Sequence, residues 1–375
     1  MTASSGVLRE IPFFNYRGAF SAQMEEMLSL VRDIIGRGAF IQQRDLEEFE
    51  AAVASFLGVG HAIGVGNATD GLVFAFRAAG LQPGDEVVFP SHEMVAGPAA
   101  VHFAGGVPVP VDIGDDRLLD PAAAERAVTA KTRFIMPVQL NGRTCDMDAV
   151  QSLAGKYGLT IIEDSAQALG SRWNGKCAGS FGVAGAFSFY PAKILGCLGD
   201  GGMVVTSDDA VADRVKLLRD HGRDAAGDVA GWGMNSRLDN LQAAVLHLQF
   251  RGYDTIISHR RMLAAEYHRE LGGLVELNLP PAPDADPRHF DVYQNFEIEA
   301  DRRDELKEFL KGRGIGTLIQ WGGKAVHQFP KLGYSLSLPV TERFFTRCLM
   351  LPLNMMVTAD DVAYVAEAIR EFYGR

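Results

Sequence analysis

Cysteine is scarce in this chain: there are four, Cys145, Cys177, Cys197 and Cys348, and no two form a C-x-x-C pair. That argues against a thiolate zinc site and a disulfide framework, and it fits a reducing compartment. Positive charge is also short, with 36 Lys and Arg against 47 Asp and Glu and a formal net charge of −11. General nucleic-acid binding needs a basic face, so that class is set aside, although a local pocket can oppose the global sign. No apolar run reaches the roughly 18 residues of a membrane-spanning helix, and Met1–Gly6 has no basic stretch leading into an apolar core. A cytoplasmic protein without a membrane partner is therefore expected. Internal repeats and low-complexity tails are lacking too, which excludes solenoid architectures.

What is present is the patterning of a globular α/β protein. Short apolar runs read as strands at Ala62–Val65, Glu86–Phe89, Val107–Val111, Phe134–Val138, Thr160–Ile162, Ala186–Phe189 and Met203–Thr206. Helical patterns such as Asp146–Tyr157 and Asp209–Asp220 alternate with them. The alternation predicts a mostly parallel seven-stranded sheet flanked by helices. At 375 residues the chain exceeds one small core, so a large domain over residues 1–250 and a smaller α+β domain over 251–375 are expected. Asp239 to about Leu271 reads as one amphipathic helix that runs towards Pro280-Pro281-Ala282-Pro283. Beyond it the pattern predicts strands at Val292–Ile298 and Ile315–Gln320, and helices at Arg303–Lys311 and Asp360–Phe372.

Lys193 ends the run Phe187-Ser188-Phe189-Tyr190-Pro191-Ala192-Lys193, with Gly199-Asp200-Gly201-Gly202 soon after. Most lysines are solvated surface groups. This one follows an apolar strand and is the only charge between Lys176 and Asp200, a setting that lowers a lysine pKa and suits a nucleophile and base. Upstream, Ile161-Ile162-Glu163-Asp164 ends a strand in two carboxylates, which strand alternation points to opposite sides. A helix cap is the ordinary reading of such a carboxylate. Beside Lys193, Asp164 reads instead as the partner of a protonated pyridine nitrogen, and Gln167 as a partner for the ring hydroxyl or the pyridine edge. A lysine, a carboxylate, the Ser188 hydroxyl and nearby turn amides are together what pyridoxal phosphate requires.

The turn Gly66-Asn67-Ala68-Thr69-Asp70-Gly71 joins a strand ending at Val65 to a helix expected from about Gly71. Helix N-terminal amides favour an anion, so this turn is a phosphate cradle, with Asp70 read as the helix cap because a carboxylate aimed at phosphate would be repelled. His92 and Glu93 follow the next strand and reach the same rim. Neither has a partner at ligand spacing, so no metal is assigned.

With these residues in place, the chain resembles the DegT/DnrJ/EryC1/StrS family of sugar aminotransferases, a branch of the fold-type I pyridoxal-phosphate enzymes. The resemblance runs nearly end to end. Arg37-Gly38-Ala39-Phe40-Ile41 ahead of Phe49-Glu50, Asn67-Ala68-Thr69-Asp70 and Pro83-Gly84-Asp85-Glu86-Val87 resemble its N-terminal motifs. Glu163-Asp164-Ser165-Ala166-Gln167, Gly179-Ser180-Phe181-Gly182 and the Lys193 run resemble its core signature. Leu218-Arg219-Asp220-His221-Gly222, Gly233-Met234-Asn235-Ser236-Arg237-Leu238, Leu338-Pro339-Val340-Thr341-Glu342 and Leu351-Pro352-Leu353 follow in family order.

The resemblance implies a homodimer with shared active sites. Lys193 would be the Schiff-base lysine, Asp164 the pyridine partner and Gln167 the ring-hydroxyl partner. Thr69 and Ser188, with backbone near Ala68 and Asp70, would hold the phosphate. Asn235 would reach the other subunit's cofactor, while Arg237 and His327 would border the substrate. Three stretches depart from the family pattern. Met94 stands where an aromatic residue usually stacks on the ring, Ala68 replaces glycine in the phosphate turn, and Gln320-Trp321-Gly322-Gly323-Lys324 replaces a His-Tyr-Pro stretch near the sugar site. The implied activity is amination of a nucleotide-linked keto-sugar with L-glutamate, or glutamine in its place, by way of pyridoxamine phosphate. A non-catalytic cofactor-binding regulator and a pyridoxamine-phosphate-dependent sugar dehydratase are the alternatives. The dehydratases of this fold carry histidine in place of the lysine, so Lys193 speaks against the second.

Overall fold

The computed structural model describes residues 9–375; the Met1–Gly6 stretch read above for a leader lies outside them. Seven strands form the central sheet: β1 (His61–Val65), β2 (Glu86–Pro90), β3 (Val107–Val111), β4 (Thr132–Ile135), β5 (Thr160–Asp164), β6 (Ala184–Ser188) and β7 (Gly202–Thr206). Their spatial order is β1-β7-β6-β5-β4-β2-β3. All neighbours are parallel except β7, which runs antiparallel to both β1 and β6. A direct loop rather than a crossover helix joins β6 to β7, and that connection allows the reversal. Pro108 and Pro110 sit in β3, an edge strand, where a missing ladder donor is tolerated.

Both faces of the sheet are covered, so its strands are nearly continuous apolar runs. Ala186 and Val204 face one core with Phe74 and Phe76. Their strand neighbours Phe187, Met203 and Val205 face the opposite core with Phe49 and Phe189, as the period of two requires. A separate core gathers Leu263, Tyr267, Phe296, Leu349 and Val362 around a three-stranded antiparallel sheet of Leu277–Asn278, Phe296–Ala300 and Cys348–Leu351.

The stretch expected as one long helix is two, α2 (Asn240–Phe250) and α3 (Tyr253–Leu271), the first helix to concern the site being α1 (Ala68–Ala78). The break falls at Arg251-Gly252, where glycine is a poor helix former. The halves also serve different cores: Tyr253 and Ile257 pack with Phe49, and Leu263 to Leu271 pack with Phe296. The strand expected from Val292 begins only at Phe296, because Tyr293 takes a φ of 51° that interrupts extended backbone. Ile315–Gln320 makes only single bridges, Ile315 to Ile11 and Leu318 to Met350. The strand that pairs there is Cys348–Leu351, whose four residues are all buried and show no alternation for sequence reading to detect. Among the described residues, no helix is long and apolar enough to cross a membrane.

One buried carboxylate ties the sheet to the loop ahead of β6. Glu163 is fully buried and accepts from the amides of Gly179 (2.8 Å), Phe181 (2.6 Å) and Gly182 (3.0 Å), and from Gln139 Nε2 (2.9 Å). Glu163→Ala would leave these donors buried and unpaired. We expect it to lower the unfolding free energy by about 3 kcal/mol, read as a reduced midpoint in urea denaturation.

Candidate active site

Several strands end at the carboxyl edge of the sheet, where the chain turns away and its side chains meet. β5 ends in Asp164 and β6 in Ser188, and the segments after β1 and β2 bring Asn67 to Thr69 and Glu93 to Met94. These residues line one cavity of about 470 Å³, together with Gln167, Tyr190, Lys193, Asp200 and Trp321. Of the residues read from sequence, the structure brings together Ala68, Thr69, Met94, Asp164, Gln167, Ser188 and Lys193.

Lys193 follows a turn closed by its own amide on the Tyr190 carbonyl (2.8 Å). Burial of the amine lowers its pKa to about 8, opposed by the charge of Asp164. Burial pushes the Asp164 carboxyl up, while the Ala166 amide, donating to Oδ1 at 2.9 Å, the Glu93 side chain and the Lys193 charge pull it back. Asp164 thus caps the following turn and faces the lysine at once, and Glu163, one residue earlier, points to the other side of the strand. Gln167 accepts at Oε1 from the Asn141 amide (3.1 Å) and Asn295 Nδ2 (3.3 Å). Among the described residues its own amide donor meets no protein acceptor.

At the start of α1 the cap is Asn67, not Asp70: Asn67 Oδ1 accepts from the Asp70 amide at 2.8 Å. The helix begins three residues earlier than expected because Asn67, in extended backbone, satisfies the capping geometry first. Asp70 Oδ2 instead accepts from the Ser236 hydroxyl (2.6 Å) and Asn67 Nδ2 (3.0 Å). The Asp70 amide is therefore occupied, whereas among the described residues no protein acceptor meets the amides of Ala68 and Thr69. This turn lies directly on β7 at Gly202, where a Cβ would come within 2.4 Å of the Asn67 carbonyl carbon. Only glycine permits that approach.

Besides Asp70, three expected site residues do not line this cavity. Asn235 is exposed, and Arg237 is paired within the chain with Asp220 at 2.7 Å. His327 is buried, with Nδ1 2.8 Å from the Ser91 hydroxyl and Nε2 3.2 Å from Glu342, so both ring nitrogens are engaged in holding the chain together. Sequence reading gave no site role to Glu93, Tyr190 or Asp200, and took Trp321 only as part of a departing stretch near the sugar site. Glu93 carried the same signal as Asp164, an acid just past an apolar strand, but it was weighed only as a metal ligand. The place of Trp321 itself depends on a turn with a φ of 47°. A nucleophilic amine, a buried carboxyl and open helix-terminal amides suit an anionic, carbonyl-bearing heteroaromatic group.

Comparison with known proteins agrees with this chemistry. The chain is 40% identical over 371 residues to a dTDP-3-amino-3,4,6-trideoxy-alpha-D-glucose transaminase of Streptomyces venezuelae, covering 97% of each chain. It is 37% identical over 367 residues to a protein of Geobacillus stearothermophilus named as a pleiotropic regulatory protein, covering 97% of this chain and 98% of the other. Among solved structures, S. venezuelae DesV in complex with a ketimine intermediate superposes with a TM-score of 0.93 at 39% identity, covering 98% of this chain and 99% of that one. The family model of these enzymes matches residues 21–370, and the chain belongs to the DegT/DnrJ/EryC1/StrS aminotransferase family.

Proposed function

We propose that the chain is a pyridoxal-phosphate-dependent aminotransferase that converts a nucleotide-linked keto-sugar to an amino sugar, with L-glutamate as donor. The observation that carries this is Lys193, an amine of lowered pKa in one cavity with Asp164 and the open amides of α1. When bound, the cofactor supplies an electron-withdrawing ring that takes up the electron pair left as an α-proton departs. Asp164 would hold the proton on the pyridine nitrogen. The amides of Ala68 and Thr69, with the hydroxyls of Thr69 and Ser188, would hold the phosphate. Gln167 would donate to the ring hydroxyl, and the half-exposed Met94 would lie against the ring through its thioether. Neutral Lys193 would be the nucleophile that holds the cofactor's carbonyl end, and its Nζ would take up the donor's α-proton as general base and return it as general acid. Glutamate would leave as 2-oxoglutarate with its amino group retained by the cofactor, and the same residues would serve in passing that nitrogen to the sugar ketone.

We also propose a homodimer. Val229, Trp232 and Met234 are 69%, 98% and 40% exposed in the segment that leads into Asn235 and Arg237. Apolar side chains so placed favour burial against a second copy, which would carry Asn235 and Arg237 to the other subunit's cavity. The division into a large unit of residues 1–250 and a smaller one of 251–375 belongs to this reading, as does a cytoplasmic location, which the four free buried cysteines favour. The regulatory name of the Geobacillus relative favours a second reading, a cofactor-binding regulator without turnover. In such a protein Lys193 would only hold the cofactor, whereas turnover needs it to move a proton as well.

The absorbance spectrum of the pure protein with pyridoxal phosphate separates the two. We expect a visible band that disappears on adding L-glutamate, and no such band for Lys193→Ala, which should fold normally, hold the cofactor non-covalently and lose turnover. A band in the native protein that glutamate leaves unmoved would favour the regulator. Because burial lowers Lys193 to about 8 from 10.5, the amine is mostly protonated below that pH and unreactive. Capture of pyridoxal phosphate by cofactor-free protein should therefore speed up with rising pH and level off above about pH 8. A rate still climbing towards pH 10 would show an ordinary lysine. Mixed dimers of Lys193→Ala and Arg237→Ala subunits should recover activity that neither parent shows. An absence of recovery would overturn the shared-site arrangement.

A further inference from the structure

A second carboxyl sits beside Asp164. Glu93, just past β2, is 2% exposed and lines the same cavity. Neither of its oxygens meets a hydrogen-bond donor among the described residues. Asp164 lines the same cavity, and its side chain is the carboxyl that Glu93 faces. Two ionised carboxylates so placed would repel each other and leave Glu93 charged, buried and undonated, each a large cost. A proton between them removes both costs.

The surroundings say which residue holds that proton. Asp164 accepts from the Ala166 amide and faces Lys193, both of which favour its charge. Among the described residues Glu93 has no cation against it, and the other titratable group it faces is the Tyr334 phenol. The ring of adjacent His92 turns away, to the Arg117 carbonyl at 2.9 Å and towards Glu297. Burial and the Asp164 charge both push the Glu93 carboxyl well above its ordinary range. The backbone is shaped for this arrangement. Gly97, in the first turn of the Ala96–Ala104 helix, lies against the carboxyl, and a Cβ there would fall 1.5 Å from Glu93 Oε1 and 2.4 Å from its Cδ. Any side chain at position 97 would evict Glu93 from its place.

We propose that Glu93 is a positioning residue for Asp164: it stays neutral, and its O–H donates a hydrogen bond to the Asp164 carboxylate. The bond turns the Asp164 charge towards the cavity and makes it a poorer proton acceptor, so the proton it faces stays on the ligand nitrogen. The consequence for the ligand rests on Asp164 being the pyridine partner, as proposed above; the protonation of Glu93 does not.

Infrared difference spectra of the cofactor-free protein at neutral pH test the shared proton directly. Native minus Glu93→Gln should show the loss of one protonated-carboxyl stretch, and a difference showing only a lost carboxylate would overturn the proposal. The dissociation constant of pyridoxal phosphate tests the positioning. Glu93→Gln keeps a neutral donor and should hold it within about twofold, whereas Glu93→Met, of similar length without a donor, should weaken it about tenfold or more. Equal affinity in both variants, or a Gln variant as weak as Met, would overturn the positioning role. Thermal melting reports whether the Met variant is folded, and if it is not, the infrared result and the Gln variant decide. Failure of the native protein to bind pyridoxal phosphate would overturn the proposed function and leave the infrared result standing.

Discussion

Burial of ionisable groups at the carboxyl edge of the sheet is the constraint on which the rest of this structure turns. Lys193, Asp164 and Glu93 all lose water there, and each loss disfavours charge. The lysine comes down in pKa and the acids go up, so groups that differ widely in water are drawn towards the neutral range. The sheet pays for this by offering few charges and many backbone donors. Asp164 receives the Ala166 amide, and Glu163 receives three amides and a side-chain amide on the opposite side of the strand.

The pair Glu163-Asp164 shows how one strand end serves two purposes. Strand alternation sends the first carboxylate into the loop ahead of β6 and the second into the cavity. The first is saturated with donors and holds structure. The second keeps one oxygen on a backbone amide and remains available to a ligand. Position on the strand decides the role, since the two groups are chemically alike.

The second core and the segment around Trp232 extend the argument beyond the sheet. α3 runs from the large core into the smaller one, and Trp321 packs with Phe344 and Phe345, so the cavity wall it contributes depends on contacts far from Lys193 in sequence. Gln167 is likewise fixed by Asn141 and Asn295, which are far apart in sequence. The exposed apolar segment ahead of Asn235 has no comparable partner within the described chain, and it is the face on which the proposed dimer rests.

Much of this was legible in the amino-acid order. The seven apolar runs, the carboxylate pair ending β5, the lysine after β6 and the glycine-rich turn each carry a local signal, because strand burial, capping and turn chemistry act over a few residues. Local reading went astray where a neighbour distant in sequence prevailed: one long helix became α2 and α3, the strand at Cys348–Leu351 showed no alternation, and Ser236 took the Asp70 carboxylate expected to cap its helix. Glu93 is the clearest case. Its sequence shows only an acid after a strand, and what sets it apart is the tertiary fact that Asp164 lies beside it and Gly97 leaves it room. By itself the sequence determined which groups reach the rim of the sheet. Only the tertiary structure decided which of them are buried together, because desolvation and like-charge repulsion act through space rather than along the chain.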